Sequence, residues 1–161
     1  MRWGLVDHID QLTTAERATG RVTFDPSLPL FQDHFPRFPV VPGVLILESL
    51  AQLSGKLIGY TVRLQRGDWP FPILSMMDKV KFRHFVRPAQ EIVLETKLVA
   101  LRDEMGAVQV RAKVAGKVHA QAEQIFVYNA VPLDDEADRK QLEALERVEL
   151  KRLWPGYPGD F

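Results

Sequence analysis

The fold of this 161-residue chain is decided by residues 33–52, which read DHFPRFPVVPGVLILESLAQ. Residues 25–43, which overlap the first half of this stretch, contain five of the eleven prolines in the chain. Proline fixes φ and removes a backbone donor, so this segment is neither a regular helix nor a central strand. It is also apolar, whereas a flexible linker is polar. The pattern therefore predicts a stiff loop packed onto the core.

The second half of this stretch opens a helix. Residues 44–59 are good helix formers and predict a helix that ends near Gly55 to Gly59. Such a helix is about 24 Å long, and its apolar circumference predicts burial on nearly all sides. Glu48 lies within it, and burying a carboxylate costs several kcal/mol unless it is paired or neutral. Glu48 and His34, in the loop before the helix, are therefore the candidates for chemistry.

Strands dominate the rest of the chain. Residues 21–24 predict one short strand, and four longer strands are predicted at 73–85, 91–101, 107–114 and 118–128. The short turns between the later strands favour an antiparallel meander. One buried helix followed by such a meander predicts an α+β fold in which a long curved sheet wraps around the helix.

The C-terminal region is charged. Residues 133–153 predict a helix whose thin apolar stripe would dock it on the surface, the stripe being formed by Leu142, Leu145, Val148 and Leu153. We therefore expect one domain over residues 1–130 and a charged helical extension over residues 131–161.

Composition narrows the classes of function. The chain has 21 basic and 21 acidic residues, and this balance does not indicate binding to nucleic acid or to a membrane surface. The absence of cysteine excludes disulfides, thiolate nucleophiles and cysteine metal sites. No two histidines have metal-ligand spacing, so we expect neither a metal nor another cofactor. The start of the chain lacks a long apolar run and residues 44–47 are too short to span a bilayer, so we expect a cytoplasmic protein.

Residues 33–52 resemble the signature of the 3-hydroxyacyl-(acyl carrier protein) dehydratases of fatty-acid synthesis, G-H-F-P-G-x-P-x-x-P-G-V-L-I-L-E-A-M-A-Q. The match is long and ungapped, and residues 78–83 (DKVKFR) are similar to the strand after the central helix of that family. The resemblance extends over about residues 20–128. Two of the departures from it replace glycine, because Asp33 and Arg37 stand where the family has that residue.

The resemblance implies a hot-dog fold, in which an antiparallel β-sheet wraps around a long central α-helix. It also implies a homodimer whose two sheets join, or a trimer of such dimers. In the family the catalytic histidine of one subunit faces the helix carboxylate of the other. The resemblance therefore implies that His34 and Glu48 form a site only when two chains meet.

The implied reaction converts a 3-hydroxyacyl thioester into a trans-2-enoyl thioester, in fatty-acid or related lipid or polyketide biosynthesis. His34 suits the base that takes the α proton, since imidazole titrates near neutrality. Glu48 suits the acid that protonates the leaving hydroxyl if apolar surroundings keep it protonated, or it positions that hydroxyl while His34 does both. The Gly43 amide, at a helix N-terminus, suits the charge on the thioester oxygen. Gln52, one turn beyond Glu48, would orient it or the released water.

The implied partner is an acyl carrier protein, with the substrate linked to its 4′-phosphopantetheine. Such carriers are acidic, and a local basic cluster is available to dock one. The cluster consists of Lys79, Lys81, Arg83 and Arg87. A solvated strand face is the alternative explanation for these charges. Two other functions also stay open on the residues alone: a hot-dog acyl-thioesterase whose helix carboxylate activates water, and a non-catalytic accessory subunit that binds acyl carriers.

Overall fold

An antiparallel sheet packs around one long helix in the computed structural model, which describes residues 3–128 and 135–161. Helix α2 spans Gly43–Arg66 and contacts all six strands found in this part of the chain. The sheet order is β1-β2-β4-β5-β6-β3. The strands are β1 His8–Thr13, β2 Arg17–Thr23, β3 Ile73–Phe82, β4 Glu91–Leu101, β5 Met105–Val114 and β6 Lys117–Val127. The predicted α+β architecture is confirmed.

Helix α2 is longer than predicted. It continues through Gly55 and Gly59 to Arg66. Gly67 caps the helix in the left-handed conformation, with a φ of 89°, and its amide donates a hydrogen bond to the Arg63 carbonyl. The predicted end near Gly55 to Gly59 is therefore wrong. A Cβ at Gly59 would collide with the ring of Trp69, so this glycine serves close packing and does not terminate the helix.

The long strands β4, β5 and β6 lie within two residues of their predicted bounds. The strand predicted at residues 73–85 ends earlier in the structure, as β3 at Phe82. The strand predicted at residues 21–24 corresponds to the last part of β2, which begins at Arg17. Strand β1 was missed, because only Ile9 and Leu12 of its six residues are buried. A register shift between Ile9 and Gln11 also breaks the period-two alternation by which strands are identified.

The C-terminal helix α3 spans Glu136–Leu153 and begins after Asp135, whose side chain accepts a hydrogen bond from the Ala137 amide at 2.8 Å. Residues 133–134 of the predicted helix and the proposed division between residues 130 and 131 lie outside the described residues. The division therefore stays a prediction.

Helix α3 does not dock through the predicted stripe. Leu142, Leu145 and Val148 are exposed, and only Leu153 of the stripe is buried. The buried contacts come from Leu150 and Leu153, which belong to the same hydrophobic core as α2. Two ion pairs join the helices beside these contacts, Lys56 with Glu146 and Arg63 with Glu143. The ion pairs with Lys56 and Arg63 of α2 therefore help to determine which face of α3 packs against the core.

The last residues pack against Tyr60 of α2. Trp154, Tyr157 and Phe161 surround the Tyr60 ring, whose hydroxyl donates to Asp160 Oδ1 at 2.5 Å. Burial, and then the neighbouring Asp160 carboxylate, raise the pKa of Tyr60 above its ordinary value. No helix within residues 3–128 and 135–161 has the length and apolar character needed to cross a membrane.

Replacing Gly55 or Gly59, the two glycines in the interior of α2, by alanine should change stability in opposite directions. A Cβ at Gly55 meets no atom within 4 Å, so Gly55→Ala should raise the free energy of unfolding by about 0.5–1 kcal/mol through lower chain entropy. Gly59→Ala should lower it by about 1–3 kcal/mol, because the methyl group collides with buried Trp69. Urea unfolding of both variants checks this pair. Equal shifts for the two would contradict the packing role of Gly59.

Candidate active site

His34 follows the short helix α1, Leu30–Asp33, and is half-buried. Its carbonyl accepts from the Val40 amide at 2.8 Å, and its Nδ1 lies 3.0 Å from the Val40 carbonyl oxygen. A carbonyl oxygen only accepts, so Nδ1 carries the hydrogen and Nε2 keeps its lone pair. The Phe35 ring stacks on the imidazole with centroids 4.6 Å apart. The loop thus fixes the orientation of the imidazole and directs its Nδ1 to the backbone, so that Nε2 is the ring nitrogen left for another partner.

Glu48 is held through one of its two oxygens. Oε1 accepts from Trp3 Nε1 and from Gln52 Nε2, each at 3.1 Å. Gln52 is fixed in turn, because its Nε2 also donates to the Trp3 carbonyl and its Oε1 accepts from the Leu5 amide, both at 2.7 Å. Within the described part of the chain, Oε2 of Glu48 has no hydrogen-bond partner. The carboxyl is therefore oriented by Oε1 while Oε2 stays available.

Trp3 and Leu5 were missed as members of this site. No site residue was predicted among the first nineteen residues, which lie far from Glu48 in the chain. A lone tryptophan in a mostly polar segment is the one signal present. It does not specify a partner 45 residues away.

Gly43 is the first residue of α2, after Pro42. Its amide meets no acceptor among the residues that the structure describes, as expected at a helix N-terminus. A Cβ here would collide with the Phe82 ring, so packing against β3 already requires glycine at this position. A role for the amide in stabilising charge stays a prediction.

Glu48 and Gln52 line a cavity of about 540 Å³. Its walls come from the N-terminal segment, α2, residues 69–74, β6 and α3. His34 is not among the lining residues. One chain therefore brings together Glu48, Gln52 and Trp3, but it does not bring His34 to them.

Asp33 and Arg37, which replace glycines of the resembled signature, are exposed beside His34. Neither forms a hydrogen bond or ion pair with the imidazole in the described structure. No group of three or more His, Cys, Asp or Glu side chains among residues 3–128 and 135–161 is arranged to hold a metal ion.

The four basic residues proposed for docking lie on β3 and the loop after it, and all are exposed. Lys79 approaches Glu123 at 3.5 Å, and Arg83 donates to Gln121 at 3.0 Å. The Arg87 guanidinium lies over the Phe38 ring, 4.4 Å from its centroid. Lys81 has no ion-pair partner in the described residues.

Positive charge accumulates near this surface. The rings of His84 and His119 are 5.2 Å apart. The pKa of His84 lies below its ordinary value, first through desolvation and then through the positive charges of Lys117, His119 and Arg83. A local positive potential of this kind favours an anionic partner.

Comparison with known proteins identifies the family. Residues 2–123 match the model of the FabA-like domain, so the chain belongs to that family. The 3-hydroxyacyl-(acyl carrier protein) dehydratase FabZ of Caldicellulosiruptor bescii is 37% identical over 122 residues, covering 76% of this chain and 85% of that protein. The protein of the same name from Lactobacillus helveticus is 41% identical over 124 residues, covering 76% and 80%.

Solved structures agree on the fold. The dehydratase heterocomplex ApeI:P from Xenorhabdus doucetiae superposes with a TM-score of 0.66 at 15% identity, covering 88% of this chain and 90% of the other. AziG from S. sahachiroi gives a TM-score of 0.61 at 12% identity, covering 78% and 91%. The hot-dog fold implied by the resemblance is confirmed.

Gln52→Ala should lower the free energy of unfolding by about 1–3 kcal/mol, because it leaves the Leu5 amide and the Trp3 carbonyl without their partner. The segment around Trp3 should also loosen, so hydrogen exchange at the Leu5 amide should accelerate. Gln65→Ala, at an exposed position of the same helix, is the matched control and should change neither quantity. Similar exchange rates in the two variants would contradict the anchoring role of Gln52.

Proposed function

We propose that this chain dehydrates 3-hydroxyacyl thioesters carried by an acyl carrier protein, releasing water and a trans-2-enoyl thioester for fatty-acid or polyketide synthesis. The observation that carries the proposal is the bond from His34 Nδ1 to the Val40 carbonyl, in a chain of the FabA-like family. It leaves Nε2 as the ring nitrogen that can accept a proton from the substrate.

The reaction needs a base, an acid and a group that holds negative charge. His34 Nε2 takes the proton from the α carbon, and the electrons of that C–H bond form the new double bond. The bond between the β carbon and its hydroxyl oxygen breaks as Glu48 Oε2 donates a proton, so water leaves. The Gly43 amide holds the charge that builds on the thioester oxygen. Gln52 positions Glu48 through Oε1.

A complete site requires a second copy of the chain, because His34 lies outside the cavity that Glu48 lines. Strand β3 is the edge suited to that contact. It is ten residues long and exposed along nearly its whole length, and its exposed apolar side chains include Met76, Val80 and Phe82. The opposite edge, β1, has six residues and carries Asp10 in an ion pair with Arg21. Short, charged edges resist pairing, whereas long apolar edges promote it.

The candidate site lies beside this edge. The Phe82 ring of β3 packs against Gly43, and buried Gln124 of β6 donates both to the Leu47 carbonyl and to Met77 Sδ of β3. The first two turns of α2 are thus fixed directly to β3. We propose that a partner paired with β3 brings its own His34 loop next to the turn that holds Glu48.

Docking of the carrier is proposed for the basic surface formed by Lys81, Arg83 and Arg87, with Lys79 at its margin. This surface lies at the end of β3, next to Phe82 and Gly43, so a carrier bound there is close to the site. Assembly beyond a dimer and a cytoplasmic location stay predictions.

Mixing two inactive variants tests the shared site. His34→Ala and Glu48→Ala should each lower kcat by about a hundredfold or more on a 3-hydroxyacyl thioester. Co-expression of the two should restore about a quarter of the wild-type rate, since half of the dimers are mixed and each mixed dimer has one intact site. Enoyl formation is followed by absorbance. Activity that is not restored in purified mixed dimers would mean that both residues act within one chain.

Glu48→Gln separates the roles of the carboxyl. The amide keeps the shape and the hydrogen bonds of Glu48 but supplies no carboxylic proton, so kcat should fall about a hundredfold with little change in KM. Turnover close to wild type would show that Glu48 only positions the hydroxyl and that His34 acts as both base and acid.

Charge reversal tests the docking surface. Arg83→Glu with Arg87→Glu should raise KM for a carrier-bound substrate by about fivefold to tenfold, because like charges then face the acidic carrier. KM for the small N-acetylcysteamine thioester should not change. Arg102→Glu, at an exposed position outside the surface, is the control. An unchanged carrier KM in the double variant would place docking elsewhere.

A further inference from the structure

The cavity that contains Glu48 continues along one face of α2. Glu48, Gln52 and Gly55 all line it, and spacings of four and three residues place them on the same side of the helix. Seven residues at about 1.5 Å each separate Glu48 from Gly55 by about 10 Å. The cavity therefore extends well beyond the carboxyl group.

Helix α3 forms the far wall. Glu146, Glu149 and Leu153 line the cavity, and Lys56 Nζ lies 2.7 Å from Glu146 Oε2 beside Gly55. The side chain of Lys56 is only 15% exposed. Because the family match ends at residue 123, this wall is built from a part of the chain that the family model does not include.

The other walls are largely apolar. They are formed by the side chains of Val6, Trp69, Phe71, Ile73, Leu74 and Phe126. Trp69 is buried against Gly59, which fixes its ring. Apolar walls with a carboxyl and an amide at one end and charged side chains of α2 and α3 at the other suit an alkyl chain of limited length attached to a polar reacting group.

Gly55 has no packing reason to be glycine. A Cβ there meets nothing within 4 Å, in contrast to Gly59, and glycine inside a helix costs stability. The missing side chain instead leaves volume in the cavity, opposite α3.

On the basis of the dehydratase function above, the acyl chain of the substrate enters this cavity, and we propose that Gly55 and the α3 wall set the length of chain that the cavity accepts. Gly55 supplies the room for the distal methylenes. The Lys56–Glu146 pair stops the chain, because hydrocarbon placed against a half-buried ion pair removes water from both charges at a free-energy cost. The substrates are therefore acyl chains of medium length.

The test is binding of saturated butanoyl, octanoyl and dodecanoyl N-acetylcysteamine thioesters, which lack the hydroxyl that leaves. Trp3 and Trp69 line the cavity, so tryptophan fluorescence reports occupancy. Wild-type affinity should rise from butanoyl to octanoyl and then stop rising. Gly55→Leu should weaken octanoyl binding about tenfold or more and change butanoyl binding by less than about twofold. Gly55→Ala should give a smaller shift in the same direction.

A second variant should act in the opposite direction. Lys56→Met combined with Glu146→Leu replaces the ion pair by apolar side chains, a change that proteins commonly tolerate. Dodecanoyl binding should then tighten by about tenfold while butanoyl binding stays constant. Gln65→Leu, on the same helix outside the cavity, should leave all three affinities unchanged.

Two outcomes would overturn the inference. One is a wild-type fluorescence signal that responds to none of the thioesters. The other is an equal effect of Gly55→Leu on all chain lengths. Parallel assays with 3-hydroxyoctanoyl thioester separate this inference from the proposed function. Chain-length-dependent binding without enoyl formation would reject the dehydratase and retain the acyl compartment, whereas enoyl formation without chain-length-dependent binding would reject the compartment alone.

Discussion

Helix α2 is enclosed by the sheet along most of its length, and Leu50, Leu53, Leu57 and Ile58 are fully buried. Apolar side chains of β4 and β5 cover this face. Some polar groups on the enclosed faces find partners close by. Ser54, for example, donates to the Leu50 carbonyl and lies 2.7 Å from Thr96 Oγ1. Removing α2 would leave the sheet without a core.

The sheet leaves one side of α2 uncovered, and charged and amide side chains lie along that side. Glu48, Gln52 and Lys56 follow one another at intervals of four residues, and the N-terminal segment and α3 cover this side in place of the sheet. The polar side chains of the candidate Glu48 site are therefore concentrated where two peripheral segments meet the helix. Orientation of Glu48 depends on the first of them, through Trp3 and Leu5.

Much of this arrangement was predictable from local pattern. Strand β4 was predicted at its observed bounds, and β5 and β6 nearly so, because alternation and short turns encode them locally. The start of α2 followed from residues 33–52, whereas the prediction that residues 25–43 contain no helix was wrong, because the short helix α1 forms at Leu30–Asp33. These features depend on neighbours in the chain, which a sequence reading can use.

The features that were not predictable depend on distant neighbours. Gly59 resembles a helix end until Trp69 is placed against it. The stripe of α3 is amphipathic by spacing, yet its inward face is selected by Lys56 and Arg63 of α2. The contact between Trp3 and Glu48 likewise joins segments that share no local pattern.

The exposed edge of β3 also affects what a stability measurement on this protein means. A single chain leaves Met76, Val80 and Phe82 in water beside unpaired strand amides, an arrangement that also templates aggregation. Once two copies cover that edge, part of the folding free energy comes from association. The unfolding midpoint then rises with protein concentration, and a thermal denaturation curve has meaning only at a stated concentration.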